Sequence, residues 1–339
     1  MPCIVIAGGF WGDEGKGKIL SYLALIDKLD FCVRTGSVNA AHTIWHGGKR
    51  YALHMVPGGF VQENCRLLIA AGANVHVAQF LKEVEETNVQ KRIGIDSQAS
   101  IIEEKHSAQD KAAAHLKALG TTGWGVGPAV EERVRRTAKL AKDIPELRPY
   151  LTDVATETNQ AIDAGRKVLL EGTQGIQLSL YHGTYPYVTS RDTSASAICS
   201  EAGVGPTKIN TVIVVLKSFI TRVGTGPLPG EISKEEAQKR GWFETAAGTG
   251  RDRRSAPFNL ELAKKAVTIN GATQIALTKL DAVYPECKNA RSYQQLSEEA
   301  KQFTQKIEEQ TATPVTLIGT GPEALDIIDR RKQSMLTSN

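Results

Sequence analysis

Aromatic side chains make up only 6% of this 339-residue chain. No apolar run approaches the roughly 18 residues that a membrane-spanning helix needs, so no membrane partner is expected. Cysteine is scarce: Cys3, Cys32, Cys65, Cys199 and Cys287 are odd in number, widely spaced and include no C-x-x-C pair. That pattern excludes a disulfide framework and offers no zinc-site spacing. Lys and Arg (41) barely exceed Asp and Glu (37), a balance too even for a non-specific nucleic-acid or membrane-surface binder. Repeats, low-complexity stretches and Ser/Gly linkers are also missing, so a single catalytic domain over residues 1–339 is expected. The opening from Met1 to Ala7 lacks the basic segment of a secretory leader, and reduced thiols fit the cytosol.

What is there is an alternation. With 41% hydrophobic residues the chain can bury a substantial core. Ile4 to Ala7, Leu67 to Ala70, Val168 to Leu170, Thr211 to Leu216, Gln274 to Leu277 and Val315 to Ile318 read as buried strands. Between them, Lys18 to Ile26, Val75 to Glu86, Ala129 to Ala141, Ala256 to Val267 and Ser297 to Gln310 carry helical spacing. Strands alternating with helices predict an α/β fold: a central, mostly parallel sheet with helices on both faces and small subdomain insertions. Strand order is not readable from the pattern. Glycine-rich segments fall at strand ends, where open parallel sheets bind ligands.

The sharpest local signal runs from Gly8 to Lys18, directly after the first strand. Glycines there let backbone N–H groups approach phosphate oxygens, the helix N-terminus adds a favourable dipole, and Lys16 and Lys18 supply charge. Gly12 to Lys18 has Walker-loop spacing, but Ile19 stands where Ser or Thr would bind magnesium. The loop is P-loop-like, not an ordinary P-loop. Asp13 and Glu14 inside it would repel phosphate unless a cation intervenes or a carboxylate serves as a base. The plain alternative is a glycine turn that caps a helix.

Other constellations are weaker taken singly. Asn39 to Thr43 places His42 among small residues, suited to proton transfer or to a developing phosphoryl charge. A lone histidine is more often structural, and His46, His54, His76, His106, His115 and His182 are read that way. Gly120 to Pro128 precedes a helix bearing Arg133, Arg135 and Arg136: either a phosphate site or a solvated basic face. Glu171 to Gly175 and His182 to Thr189 are polar turns after a buried strand. Gly248 to Arg254 is a cationic loop able to clamp a carboxylate bidentately or to lie in solvent. Thr278 to Asp281 ends a strand with a carboxylate that can accept from guanine's N1–H and 2-amino group, which adenine does not match.

Taken together, Trp11 to Lys18, Asn39 to Thr43, Gly120 to Pro128, Glu171 to Thr189, Arg222 to Pro227, Thr249 to Arg254, Thr278 to Asp281 and Gly319 to Gly321 resemble, in order, the adenylosuccinate synthetase family. That resemblance implies ligation of L-aspartate to inosine monophosphate (IMP), driven by GTP through a 6-phosphoryl-IMP intermediate, with Mg²⁺ as cofactor. By the same resemblance Asp13 is the base, His42 the acid partner and Lys16 a catalytic cation. GTP would contact Gly12, Asp13, Glu14, Gly15, Lys16, Gly17, Lys18, Ala41, His42, Thr43, Arg253, Lys279, Leu280, Asp281, Gly319, Thr320 and Gly321. IMP would contact Asp13, Asn39, Thr122, Gln174, Thr189 and Arg251, with Arg136 reaching in from the second subunit of a homodimer. Aspartate would meet Val223, Thr249, Gly250, Arg251 and Arg253, and Mg²⁺ would meet Asp13 and Ala41.

The chain departs from the family at Phe10 (commonly glutamine), Ala41 (glycine) and Trp124 (arginine), and it is shorter than most members. A related ligase acting on dGMP carries a non-carboxylate at the base position, so Asp13 argues against it. A regulatory GTPase leaves the blocks between residues 120 and 189 without a place.

Overall fold

The computed structural model describes residues 3–246 and 250–331. Ten strands form one sheet: β1 (Cys3–Gly8), β2 (Phe31–Arg34), β3 (Arg66–Ile69), β4 (Ile93–Asp96), β5 (Leu151–Thr152), β6 (Val168–Glu171), β7 (Thr211–Lys217), β8 (Gln274–Thr278), β9 (Val315–Gly319) and β10 (Ile327–Asp329). Their spatial order is β10-β9-β8-β7-β1-β6-β2-β3-β4-β5. Every pairing is parallel except β9 with β10.

Alternation along the strands sorts the core. Ile4 and Ile6 of β1 face one side with Leu67 and Ile69 of β3, under Ile19, Leu20 and Leu23 of helix α1 (Lys16–Ile26) and Phe80 and Val84 of helix Val77–Thr87. Cys3, Val5 and Ala7 face the other side with Leu68 and Leu170, under Ile162 and Ile198. Farther along, Val214, Leu216, Ile275 and Leu277 pack beneath Ala263, Ala266 and Ile307. Strands buried on both faces read as continuous apolar runs, which is why the runs were visible in the sequence.

The structure corrects some boundaries. The helix expected over 129–141 is Val126–Arg135 and stops at Arg136, which takes a left-handed φ of 66°. The helix expected from Ala256 begins at Leu260, because residues 256–257 belong to strand Asp252–Pro257 and the Asn259 side chain accepts from Leu262 N–H. The helix expected from Val75 begins at Val77, since Val75 pairs with Ile101 in a short ladder.

Two small antiparallel sheets are the insertions. One is the hairpin His42–His46 with Lys49–Leu53; the other orders Phe219–Val223, Asp252–Pro257 and Glu244–Thr245 side by side and carries the arginine loop. Parallel strands bring Gly8, Arg34, Glu171, Lys217, Thr278 and Gly319 to one edge of the large sheet. The chain leaves β1 for one side of the sheet and later returns to flank it with β6 and β7, so a crevice opens at β1.

At that crevice the loops after β1 and β6 touch. A Cβ added at Gly8 would lie 2.2 Å from the Gln174 carbonyl oxygen. Gly8→Ala is therefore expected to lower unfolding free energy by about 1–3 kcal/mol, read by urea denaturation. An unchanged midpoint would show that the loops yield freely.

Candidate functional site

The crevice opens into a cavity of about 470 Å³, lined among others by Gly12, Asp13, Asn39, Ala41, His42, Thr122, Gln174, Thr189, Val223, Arg251 and Arg253. Residues scattered over more than two hundred positions thus converge. Most stand beyond a strand's C-terminal end or on an insertion, and Thr122 comes from the turn between helices Ala114–Ala118 and Val126–Arg135. Gln174 reaches the cavity with a left-handed φ of 62°, and Gly12 lies so near it that an added Cβ would meet Gln174 Cα at 3.0 Å.

Asp13 presents one oxygen to each side. Its Oδ1 accepts from Arg253 Nη2 at 2.8 Å, while its Oδ2 is buried without a partner among the described residues. Burial pushes the Asp13 carboxyl up, against the pull of Arg253 and Lys217. Orphaned buried acceptors are costly, and Asn39 Oδ1 and His42 Nε2 share this condition. Three polar atoms without partners on the wall of one cavity mark where a polar ligand fits.

His42 is held from behind. Its Nδ1 lies 2.7 Å from Glu171 Oε1 and 3.0 Å from Arg34 Nη1. Glu171 also accepts from Arg34 and, at 2.6 Å, from Gly58 N–H. Burial alone would raise the Glu171 carboxyl, but Arg34 and His42 hold it down at about 2. Burial, with Arg34 beside it, lowers His42 to about 4. The ring is therefore neutral near pH 7, and the carboxylate behind it fixes Nδ1–H as the inner proton.

The phosphate loop is packed internally. Glu14, 1% exposed, accepts from Phe10 N–H and Gly12 N–H at 2.8 Å each and from Lys16 Nζ at 2.8 Å. Lys16 also donates to the Gly12 carbonyl at 3.1 Å. In this geometry Glu14, Gly15, Lys16, Gly17, Lys18 and Thr43 lie outside the cavity lining. Lys16 is thus turned back onto its own loop. Lys18 instead donates to the carbonyls of Gly321 and Glu323 at 2.6 Å each, tying α1 to the loop after β9.

The expected guanine residues form a second group beside the first. Thr278 Oγ1 donates to the Glu14 carbonyl at 2.5 Å, joining the end of β8 to the phosphate loop. Asp281 Oδ1 is buried without a partner among the described residues, and Lys279 is exposed. Leu280 and Thr320 are buried, Leu280 in the core and Thr320 with its Oγ1 donating to the Ala290 carbonyl. Gly319 and Gly321 are crowded by Lys18 and by Asp326 and Asn289.

Some expected residues stand apart. Arg136 is exposed at the end of its helix and does not line this cavity; Gly250 is exposed beside it; Thr249 lies outside the described residues. Trp124 packs its ring 5.5 Å from both His54 and His76, so the arginine position of the family is filled by a side chain turned into the core. Asp110 shapes the loop next to it, accepting from Thr121 Oγ1 at 2.7 Å and Gly125 N–H at 2.8 Å. Sequence reasoning missed Arg34, Asp110, Lys217 and Glu244. The one available signal was a charged residue ending an otherwise apolar strand, as at Arg34, Glu171 and Lys217.

The His42 pocket carries a pH signature. A histidine whose folded value lies near 4, below its ordinary 6.5, stabilises the fold fully above that ordinary value. The contribution is lost as pH falls from there towards 4. His42→Asn is expected to abolish this acid-side loss, on the order of 3 kcal/mol, in melts recorded between pH 7 and 4. Parallel pH profiles for the two proteins would contradict it.

Comparison with known proteins agrees with this layout. The adenylosuccinate synthetase family model matches residues 5–146 and 137–285. The adenylosuccinate synthetase of Methanocaldococcus jannaschii is 52% identical over 98% of both chains, and that of Methanosphaera stadtmanae is 49% identical over 99% of this chain and 100% of its own. The short length is thus shared with these relatives. Among solved structures, fully ligated adenylosuccinate synthetase from Plasmodium falciparum superposes with a TM-score of 0.90 at 26% identity, covering 97% of this chain and 99% of that one. Cyanophage S-2L succinoaminodeoxyadenylate synthetase, bound to dGMP and dATP, superposes at 0.80 over 99% and 97% of the two chains, but at 23% identity the likeness is one of fold alone. This chain belongs to the adenylosuccinate synthetase family.

Proposed function

We propose that this chain joins L-aspartate to IMP in a GTP-driven, two-step ligation that releases adenylosuccinate, GDP and phosphate. The observation that carries the reading is Asp13, a carboxylate inside a phosphate loop with one oxygen turned, without a partner among the described residues, toward a nucleotide-sized cavity. Asp13 takes the proton from N1 of the hypoxanthine, which makes O6 a nucleophile toward the γ-phosphate. The aspartate amine then attacks C6, the C6–O6 bond breaks, and O6 departs within inorganic phosphate. Positioning and electrostatics dominate such a phosphoryl step.

His42 supports the transfer through Nε2. Protonated there beside the phosphoryl anion, the imidazole acts as the acid partner that stabilises the transferred charge, with Glu171 stabilising the cation from the other side. Asn39, Thr122, Gln174, Thr189 and Arg251 hold IMP, and Arg251 also braces the loop above by donating to the Gly120 carbonyl at 3.1 Å. Arg251 and Arg253 receive the aspartate carboxylates, and Val223, Thr249 and Gly250 serve the same substrate. Asp281 and Lys279 select guanine.

The donor set suits Mg²⁺: the unpartnered Asp13 Oδ2 and the Ala41 carbonyl are hard oxygen ligands. These two would hold the ion, which when bound supplies charge neutralisation on the phosphates. The reading extends to residues 1–339 as one catalytic domain, working in the cytosol. No described helix is long and apolar enough to cross a membrane, and all five cysteines are free and buried.

Coupled detection of GDP tests the reading, with release expected only when IMP and aspartate are both present. Asp13→Asn keeps the size of the side chain but cannot take a proton, so kcat should fall about 10²- to 10⁴-fold while IMP binding survives. Near-normal turnover in that variant would overturn the mechanism.

The reading also includes a homodimer in which Arg136 completes the partner's IMP site, in keeping with its exposure away from its own cavity. Arg136→Leu should weaken IMP binding with the fold intact. Mixed with Asp13→Asn, it should regain part of the activity through hybrid dimers. Absence of rescue, with subunit exchange verified, would mean that each site is built from one chain.

A further inference from the structure

Glu244 has no part in the reaction as described, yet its carboxylate is the meeting point of three cations from three segments. Its Oε2 accepts from Lys217 Nζ at 2.8 Å and from Arg253 Nη1 at 2.6 Å, and its Oε1 lies 3.3 Å from Lys279 Nζ. Lys217 ends β7, Arg253 belongs to the strand that leaves the arginine loop, and Lys279 follows β8. Glu244 lies directly across from Arg253 in the antiparallel ladder, so the backbone sets their separation. The group is sheltered: Glu244 is 16% exposed and Lys217 only 2%. Exposed ion pairs contribute little, but a buried carboxylate shared by several cations fixes where each of them stands.

The far side of this node is the reacting centre. Arg253 gives Nη1 to Glu244 and Nη2 to Asp13, so Asp13, Arg253, Glu244 and Lys279 form a continuous line of alternating charge from the cavity to the base-recognition segment. When an anionic substrate enters, the Nη2 hydrogens can be shared between Asp13 and a carboxylate while Nη1 keeps the rigid guanidinium on Glu244. A guanidinium anchored at one arm loses less freedom on binding than one held at neither. Lys279, half-exposed on a flexible stem, gains the same kind of restraint from Oε1.

We infer that Glu244 is a positioning residue that sets Arg253 in the aspartate subsite with one carboxylate oxygen and Lys279 in the guanine subsite with the other. The inference rests on the ligase reading and adds a specificity element to it: one side chain holds the recognition groups of two substrates and none of the third.

The test is steady-state GDP release by the full chain, varying each substrate in turn. For Glu244→Gln, KM for aspartate and KM for GTP are each expected to rise about tenfold, while KM for IMP stays within about twofold. Because that change leaves Lys217 buried opposite a neutral amide, the pair Glu244→Gln with Lys217→Met is made alongside, and the same split is expected of it. In a Lys279→Met background, adding Glu244→Gln should still raise KM for aspartate, while its further effect on KM for GTP should be much smaller than in the chain that keeps Lys279. Equal rises in all three KM values, a fall in kcat alone, or additive effects on GTP would each overturn the inference. Failure of the ligase reading itself looks different, since the unsubstituted chain would then release no GDP that depends on IMP and aspartate.

Discussion

A fully buried carboxylate at the end of β6 is tolerable only because Glu171 is surrounded. Arg34 from the neighbouring strand, His42 from the hairpin and Gly58 N–H from the turn beyond it all point at its two oxygens. This is more than local neutralisation: Arg34 already stands beside Glu171 as its register partner on β2, and the carboxylate draws the hairpin and the turn at Gly58 to the same point. Remove the charge and Arg34, 2% exposed, is left in the interior without its counter-ion, a change that typically costs about 3–5 kcal/mol. The geometry of His42, the turn at 57–58 and the approach of Asn39 to the cavity all depend on that one anion. It joins the architecture of the sheet to the chemistry at its edge.

Much of this was legible beforehand because parallel strands buried on both faces announce themselves as apolar runs, and glycine-rich loops announce close approach. The strands over Ile4 to Ala7, Thr211 to Leu216 and Gln274 to Leu277, and the phosphate loop after the first of them, lie where periodicity puts them. The two-residue strand Leu151–Thr152 and the edge strand Ile327–Asp329 escaped, being too short to carry a period. The false helix start at Ala256 overran a signal that the sequence carries: Pro257 is unfavourable inside a helix, and the helix begins only after the Asn259 cap.

Site residues divide along the same line. Asp13, Gln174 and Arg251 could be singled out because each sits in a segment with unusual glycine or charge content, and His42 because it stands among small residues. Glu244 and Lys217 were not, since a lone acid in Trp242 to Thr245 and a lysine ending an apolar strand look like ordinary surface. Only tertiary pairing reveals them as buried. The orientation of Lys16 and Lys18 was beyond reach for the opposite reason. Loop composition specifies that cations are near, and the partners Glu14, Gly321 and Glu323 decide where they point.

The position of β1 in the middle of the sheet has a consequence for how the molecule comes into being. Residues 3–8 find their hydrogen-bonding neighbours at 168–171 on one side and 211–215 on the other. During vectorial synthesis the first segment to be made must therefore wait for more than half of the polypeptide before either flank exists. Contacts of such long sequence separation are slow to close, so the loop that follows β1 takes its shape late in folding. A nascent chain is thereby kept from presenting a finished nucleotide site before the structure that disciplines it has been assembled.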